Sequence, residues 1–196
     1  DKGLQVYGDI VFNHRGGADR TEWVKALEVR GDERHFEIVN SEKPDFWIEA
    51  WTEFTFPGRA SKYSDFSWNY NHFDGTDWAE NLGKKAIFKF TSRGKDWDQM
   101  VSGEKGNYDY LMFSDVDMNA PEVRTEYARW GRWYLETAGI DGIRIDAVKH
   151  IQFSFFREWL DYMKKAAVSN AKSDFFAVGE YWSDNVEELH TYIKAT

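Results

Sequence analysis

The feature that most constrains this 196-residue chain is the order of its regular elements: one strand, a long excursion, then helix, strand, helix, strand and helix in close succession. Leu4 to Phe12 is an apolar, β-branched run ending in Asn13-His14 and the breaker Arg15-Gly16-Gly17, the pattern of a buried parallel strand. Asn119 with Pro121 predicts a helix start, Val123, Tyr127, Trp130 and Tyr134 mark its apolar face, and Gly139 stops it. A strand is expected over 142–146, a helix from Ser154 to Val168 with Phe156, Leu160, Met163 and Ala167 on one side, and a strand from Phe175 to Glu180. Asp184 and Glu187 have capping-box spacing and open a last helix through Val186, Leu189 and Tyr192. This is the grammar of a parallel α/β sheet, either part of a (β/α)8 barrel or doubly wound. Three parallel strands cannot close a barrel. Neither strand-to-helix turn carries G-x-G-x-x-G and no P-loop is present, which disfavours the dinucleotide-binding version.

The excursion has a different texture. HFEIV (35–39), the alternating IEAWTEFTF (48–56), SKYSDFSWNYNHFDGTDW (61–78) and AIFKF (86–90) are strand candidates with poor helix signals between them, so an inserted β-rich subdomain is expected. The 34 acidic residues exceed the 25 basic ones for a net charge of −9, which argues against a nucleic acid or an anionic membrane as partner. The absence of cysteine excludes disulfides, a thiolate zinc site, an iron–sulfur cluster and a cysteine nucleophile. No run of eighteen apolar residues predicts a membrane span, and the N-terminus reads as a core strand rather than a leader, so the chain is expected to start inside a longer protein. Aromatic residues make up 18% of the chain, and flat rings beside carboxylates suit sugars, although such rings more often fill cores.

Side chains alternate across a strand, so Arg144 and Asp146 share the face opposite Ile143 and Ile145. Next to the guanidinium, Asp146 is expected to stay ionised, as a nucleophile must. Glu180 ends the next strand among Gly179, Tyr181 and Trp182, and poorly solvated aromatic surroundings are expected to raise its pKa toward that of a general acid. Two such carboxylates at the C-terminal ends of neighbouring parallel strands form a glycosidase constellation.

DIVFNH (9–14), GIRIDAVKH (142–150) and GEYW (179–182), in that order and with a long insertion after the first, resemble the sequence regions of the α-amylase family of glycoside hydrolases. WTEFTFPGRASKYSDFSWNYNHFDGTDW (51–78) and GNYDYLMFSDVDMNAPEV (106–123) are similar to the inserted B domain of the liquefying bacterial and cytoplasmic type and its return to the barrel. Arg30 to Phe46 departs from those enzymes in length and wording. The resemblance implies an internal fragment of a (β/α)8 TIM barrel: strand 3 at 1–14, the B domain at 15–110, and barrel units 4 and 5 at 111–196. It implies endo-hydrolysis of α-1,4-glucosidic bonds in starch or glycogen with retention. Asp146 is then the nucleophile, Glu180 the acid, and Arg144 the residue that holds Asp146, with Asp9 as its structural partner. His14, Lys149, His150 and Trp182 are implied to contact the sugar chain. A third catalytic carboxylate is expected from a later strand, beyond this sequence.

Scattered loop aspartates are ordinarily turn or surface residues, and Asp74, Asp96, Asp98, Asp109, Asp115 and Asp117 form no EF-hand string. The resemblance assigns calcium to Asn13, Asp98, Asp109, Asp115 and the carbonyl of His150, and a neighbouring cation, with sodium as its candidate, to Asp74 and Asp117. All-oxygen ligands suit Ca²⁺. His35, His72 and His190 read as ordinary polar or packing residues. The resemblance further implies a monomeric parent, secreted in preference to cytoplasmic. A transglycosylase or maltogenic exo-enzyme of the same superfamily is the alternative outcome, and composition alone also permits a non-catalytic, calcium-stabilised carbohydrate-binding module.

Overall fold

A computed structural model describes residues 3–35, 45–60 and 62–196. In chain order its strands are β1 (Tyr7–Ile10), β2 (His14–Arg15), β3 (Arg20–Val29), β4 (Phe46–Glu53), β5 (Phe73–Ala79), β6 (Lys84–Phe90), β7 (Ser114–Val116), β8 (Gly142–Ile145) and β9 (Phe176–Gly179). Helix α1 (Pro121–Ala138) follows β7, α2 (Phe153–Ser169) follows β8 and α3 (Val186–Ala195) follows β9. Two sheets result, a parallel one in the order β1-β8-β9 and an antiparallel one in the order β2-β7-β5-β6-β3-β4. The parallel sheet with its following helices has the strand–helix alternation expected of a part of an α/β barrel, and the antiparallel sheet is the inserted β-rich unit.

The inserted sheet reaches Val116, past the boundary drawn at 110, because His14 and Arg15 of β2 pair with Asp115 and Ser114 of β7. Most of the strand expected at 35–39 lies outside the described residues. The longest strand, β3, carries no clear signal: RTEWVKALEV mixes helix formers with β-branched residues. It is held by ladders on both sides, to β4 through Thr21↔Trp51 to Ala26↔Phe46 and to β6 through Ala26↔Phe90 to Val29↔Ile87, so tertiary pairing overrides local preference.

The helices begin one residue away from their expected caps. Ala120 occupies the cap position of α1 without a side-chain bond, because Asn119 turns its amide to Asp98 and accepts from Gln152 at 3.1 Å. Asn185, not Asp184, caps α3 by accepting from the backbone N–H groups of Glu187 (3.0 Å) and Glu188 (3.3 Å). Gly139 stops α1 in the left-handed conformation, as expected.

Phe12 welds the helices to the end of β1. Its ring lies 4.5 Å from Tyr127, 4.9 Å from Trp159, 5.6 Å from Phe155 and 5.9 Å from Trp130, and its carbonyl accepts from the Tyr127 hydroxyl at 2.8 Å. Many of the aromatic residues fill this core. On the other flank of the parallel sheet, the edge strand β9 leaves Phe176 51% and Val178 45% exposed, which is unusual for a parallel sheet.

Gly131 sits mid-helix in α1, where alanine would ordinarily raise helix stability by up to about 1 kcal/mol. A Cβ there would stand 2.8 Å from Met163 Sδ and 2.8 Å from a ring carbon of Trp159, both buried on α2. Gly131→Ala is therefore expected to destabilise by about 1–3 kcal/mol, measured by denaturant unfolding; a stabilised variant would show that α1 and α2 do not cross this closely.

Candidate active site and cation cluster

Parallel pairing sets the C-terminal ends of the three strands side by side, with Asp9 opposite Arg144 and Arg144 opposite Val178. Two backbone bonds extend the ladders: Asp146 N–H to Ile10 O (2.9 Å) and Glu180 N–H to Ile145 O (2.8 Å). One guanidinium then meets three carboxylates. Arg144 lies 2.8 Å from Asp9, 2.9 Å from Asp146 and 2.6 Å from Glu180. Ala147, in the left-handed region at φ 52°, turns the chain directly after Asp146, and its N–H reaches Glu180 Oε2 at 3.4 Å.

The expected rise in the Glu180 pKa is not found. The Trp182 indole N–H donates to its carboxylate at 2.7 Å, and with the Ala147 N–H and Arg144 this holds the group below the usual range. The aromatic neighbour acts here as a hydrogen-bond donor, and solvent reaches a cavity of about 540 Å³ lined by Glu104, Glu180, Tyr181, Trp182, Ser183 and Asp184.

The four expected sugar contacts differ in their exposure. Trp182 is 75% exposed. His14 is half-buried, its pKa lowered by burial, with Nδ1 3.2 Å from Asn13 Oδ1. Lys149 is buried, and its ammonium is bound by the Glu104 carboxylate and the Trp182 carbonyl, both at 2.7 Å. His150 is buried too, its ring edge-on to Tyr108 and Nδ1 2.6 Å from the Tyr108 carbonyl; burial lowers its pKa to about 4. Lys149 and His150 thus tie loops together in this chain. A second cavity, about 370 Å³, opens beside His14 between Arg15, Trp51, Trp78 and Phe113. Glu80 accepts from the Trp51 indole at 3.0 Å and the Trp78 indole at 2.7 Å, which orients both rings. Neither tryptophan was singled out in the sequence, although the alternation of residues 48–56 already puts Trp51 on the face opposite Ala50 and Thr52.

Asp74, Asp98, Asp109, Asp115 and Asp117 are all buried, and so is Asn13. Their carboxylate oxygens fall into two groups that share Asp74: Asp74, Asp98 and Asp117, and Asp74, Asp109 and Asp115, each with oxygens within 4.8 Å of one another. Asp98 belongs to the first group and also touches the second, where its N–H donates to Asp109 Oδ2 at 2.7 Å. Desolvation and mutual repulsion push Asp74, Asp109 and Asp115 far above the carboxylate range, and Asp98 to about 7. Lys95 pairs with Asp117 at one edge. Asp96 stands apart, exposed and paired with Lys89 at 2.7 Å.

This donor set fits a hard cation. Both oxygens of Asp74 and Asp115 Oδ2 are buried without a hydrogen-bond partner. Three further oxygens, Asp109 O, Asp115 Oδ1 and His150 O, converge on Asn13 Nδ2 at 3.4, 3.1 and 3.3 Å. Carboxylates, two backbone carbonyls and an amide that can present its own oxygen, with no thiolate, are the ligand types of Ca²⁺.

The whole chain, residues 1–196, matches the family model described as alpha amylase, catalytic domain. It is 52% identical to an alpha-amylase of Geobacillus stearothermophilus over 99% of this chain and 34% of that protein. It is 47% identical to a glucan 1,4-alpha-maltohexaosidase of Bacillus sp. (strain 707), over 100% of this chain and 36% of that protein. A cytoplasmic alpha-amylase of Escherichia coli (strain K12) is 38% identical over 97% of this chain and 37% of its own length. The chain spans about a third of the length of these relatives. No helix among the described residues is long and apolar enough to cross a membrane.

A cation that binds only the folded state stabilises by mass action, about 2.7 kcal/mol at a hundred times its Kd. Calcium added to the chelator-treated protein is expected to raise the melting temperature by about 5–10 °C, and Asp115→Ala to abolish the rise. An unchanged melting curve would rule out a stabilising cation at the cluster.

Proposed function

The chain belongs to the alpha-amylase catalytic-domain family, and from this we propose that the enzyme containing it hydrolyses internal α-1,4-glucosidic bonds of starch or glycogen with retention of configuration. Asp146 attacks the anomeric carbon to form a covalent glycosyl-enzyme as the bond to the leaving oxygen breaks. Glu180 gives that oxygen its proton, then takes one from the water that releases the sugar. The observation that carries this reading is the single guanidinium of Arg144 holding Asp146 and Glu180 together at adjacent strand ends. Membership of a catalytic-domain family sets aside the non-catalytic binding module.

Glu180 must be protonated at the first step, and in the open chain it is held as a carboxylate. A sugar chain laid over Trp182 removes the water that favours the charge, and a third carboxylate from beyond this chain adds repulsion of the same sign. Both raise its pKa. Asn13, Asp98, Asp109, Asp115 and the His150 carbonyl, with Asp74 and Asp117 beside them, would hold calcium and a neighbouring cation such as sodium; the metal supplies positive charge that lets these carboxylates be buried as anions. A site of this kind tuned to the millimolar calcium of extracellular fluids suits a secreted enzyme, and a submicromolar Kd would instead suit the cytoplasm, where the Escherichia coli relative is named to reside.

In that enzyme Asp146→Asn and Glu180→Gln are each expected to lower kcat on starch by at least about a thousandfold, far from additively. NMR of the earliest products is expected to show the α-anomer; a β-anomer appearing first would make the mechanism inverting and Asp146 a base.

A further inference from the structure

Glu188, in the first turn of α3, collects three hydroxyl donors from two other segments. Tyr181 Oη donates to Oε1 at 2.7 Å, Ser183 Oγ to Oε2 at 2.7 Å, and Ser102 Oγ, from the inserted unit, also to Oε1. The Asn185 cap fixes the turn from which Glu188 projects, and Ser183 Oγ accepts from the Asn185 N–H at 3.1 Å. Tyr181 and Ser183 flank Trp182, whose indole donates to Glu180. A second tie closes the ring: the Ser102 N–H donates to Lys149 O at 2.9 Å, and the Lys149 ammonium donates to Trp182 O at 2.7 Å. The residues that carry Glu180 and Trp182 are therefore fastened at both ends, to α3 and to the inserted unit.

We propose that Glu188 is a positioning residue for Glu180, clamping the 180–183 segment between helix α3 and the inserted unit so that the acid keeps its place at the strand end. The inference rests on the reading of Glu180 as the acid. Burial alone would raise the Glu188 pKa, but the hydroxyls of Ser102, Ser183 and Tyr181 outweigh it and hold the carboxylate ionised, the form that accepts all three bonds. With Glu188 gone, three hydroxyls lose their common acceptor, and the segment beyond Glu180 is left to the Lys149 bond to the Trp182 carbonyl and the packing of Tyr181 on Tyr192.

A displaced acid fails most where the leaving group most needs a proton. The test therefore compares maltoheptaose, whose leaving group is a sugar alkoxide, with 2-chloro-4-nitrophenyl α-maltotrioside, whose phenolate leaves unaided. In the enzyme containing this chain, Glu188→Ala is expected to lower kcat/KM on maltoheptaose by about ten- to a hundredfold, while kcat/KM for phenol release, which reports the first step alone and so excludes the later role of Glu180 as base, falls less than about threefold. Glu188→Gln, whose amide can still engage the three hydroxyls, is expected to restore most of the loss. Equal losses on both substrates, or none on either, would overturn the proposal, because a general loss of folded protein does not distinguish leaving groups. Should Glu188→Ala fail to fold, Tyr181→Phe and Ser183→Ala carry the same comparison. Glu180→Gln separates the two readings: if it shows no preference between leaving groups, the acid assignment fails, whereas a strong preference there with none in Glu188→Ala overturns only the clamp.

Discussion

Five aspartates cannot be buried side by side as anions unless positive charge is buried with them, and this constraint governs the seam on which both sheets meet. The loop after β1 brings Asn13, β5 brings Asp74, the segment before Gln99 brings Asp98, β7 brings Asp115, and the loop after β8 brings the His150 carbonyl. Each transfer of a carboxylate out of water costs several kcal/mol unless it is paired. The pairing within the chain is incomplete: Lys95 serves Asp117, and Arg34 lies near Asp109 and Asp115 but bonds to the Tyr110 carbonyl. Without a cation the cluster relieves its repulsion by taking up protons, which is what the raised pKa values of Asp74, Asp109 and Asp115 express. With one, the same oxygens become ligands, and metal binding is folding free energy for every segment that supplies them.

The strand-end carboxylates around Arg144 solve the opposite problem. There the carboxylates have a shared counter-ion, Arg144, and water on one side. Parallel pairing makes this economical in residues. One arginine at the centre of a three-stranded sheet reaches a neighbour on each side and its own i+2 residue, so Asp9, Asp146 and Glu180 are ordered by a single group. The strand register alone would align the backbones of these residues but leave their side chains free to rotate. Arg144 removes that freedom on one side of Glu180, and Trp182 removes it on the other.

Much of this was legible in the sequence because it follows from period and chain order. Alternation alone puts Arg144 and Asp146 on one face, and helix periodicity with Gly139 bounds α1. What escaped depends on partners distant in sequence. β3 is a strand because β4 and β6 flank it, and its own composition points elsewhere. Asn119 has the spacing of a helix cap, yet its amide N–H donates to Asp98, twenty-one residues away, and its oxygen accepts from Gln152 instead of a helix N–H. The Glu180 environment was misjudged because an indole can remove solvent or donate a hydrogen bond, and only its orientation decides which. The acidic residues were visible as a list; which ones share an oxygen cage was not, since Asp96 and Asp98 differ by two positions and one is exposed while the other is buried.

The two charged centres are coupled through neighbours in the chain. Asn13 points into the aspartate cluster and His14, the next residue, stands beside Asp146, whose charge acts on its ring. Across the seam, the His150 carbonyl faces Asn13 while Lys149, the residue before it, binds the Trp182 carbonyl. Asp109 in the cluster is followed back by Tyr108, whose carbonyl fixes the His150 ring and whose own ring packs against it at 4.2 Å. His14 and Lys149 are each one peptide unit from a residue that faces the cluster, so the cluster and the Arg144 carboxylates share their backbone supports. The Lys149–Trp182 bond extends that support to the residue whose indole orders Glu180. A cation in the cluster would therefore order the carboxylates around Arg144 without touching them: its binding energy would resist any opening of the seam, and the seam holds the loops of Asp146 and Glu180 in register.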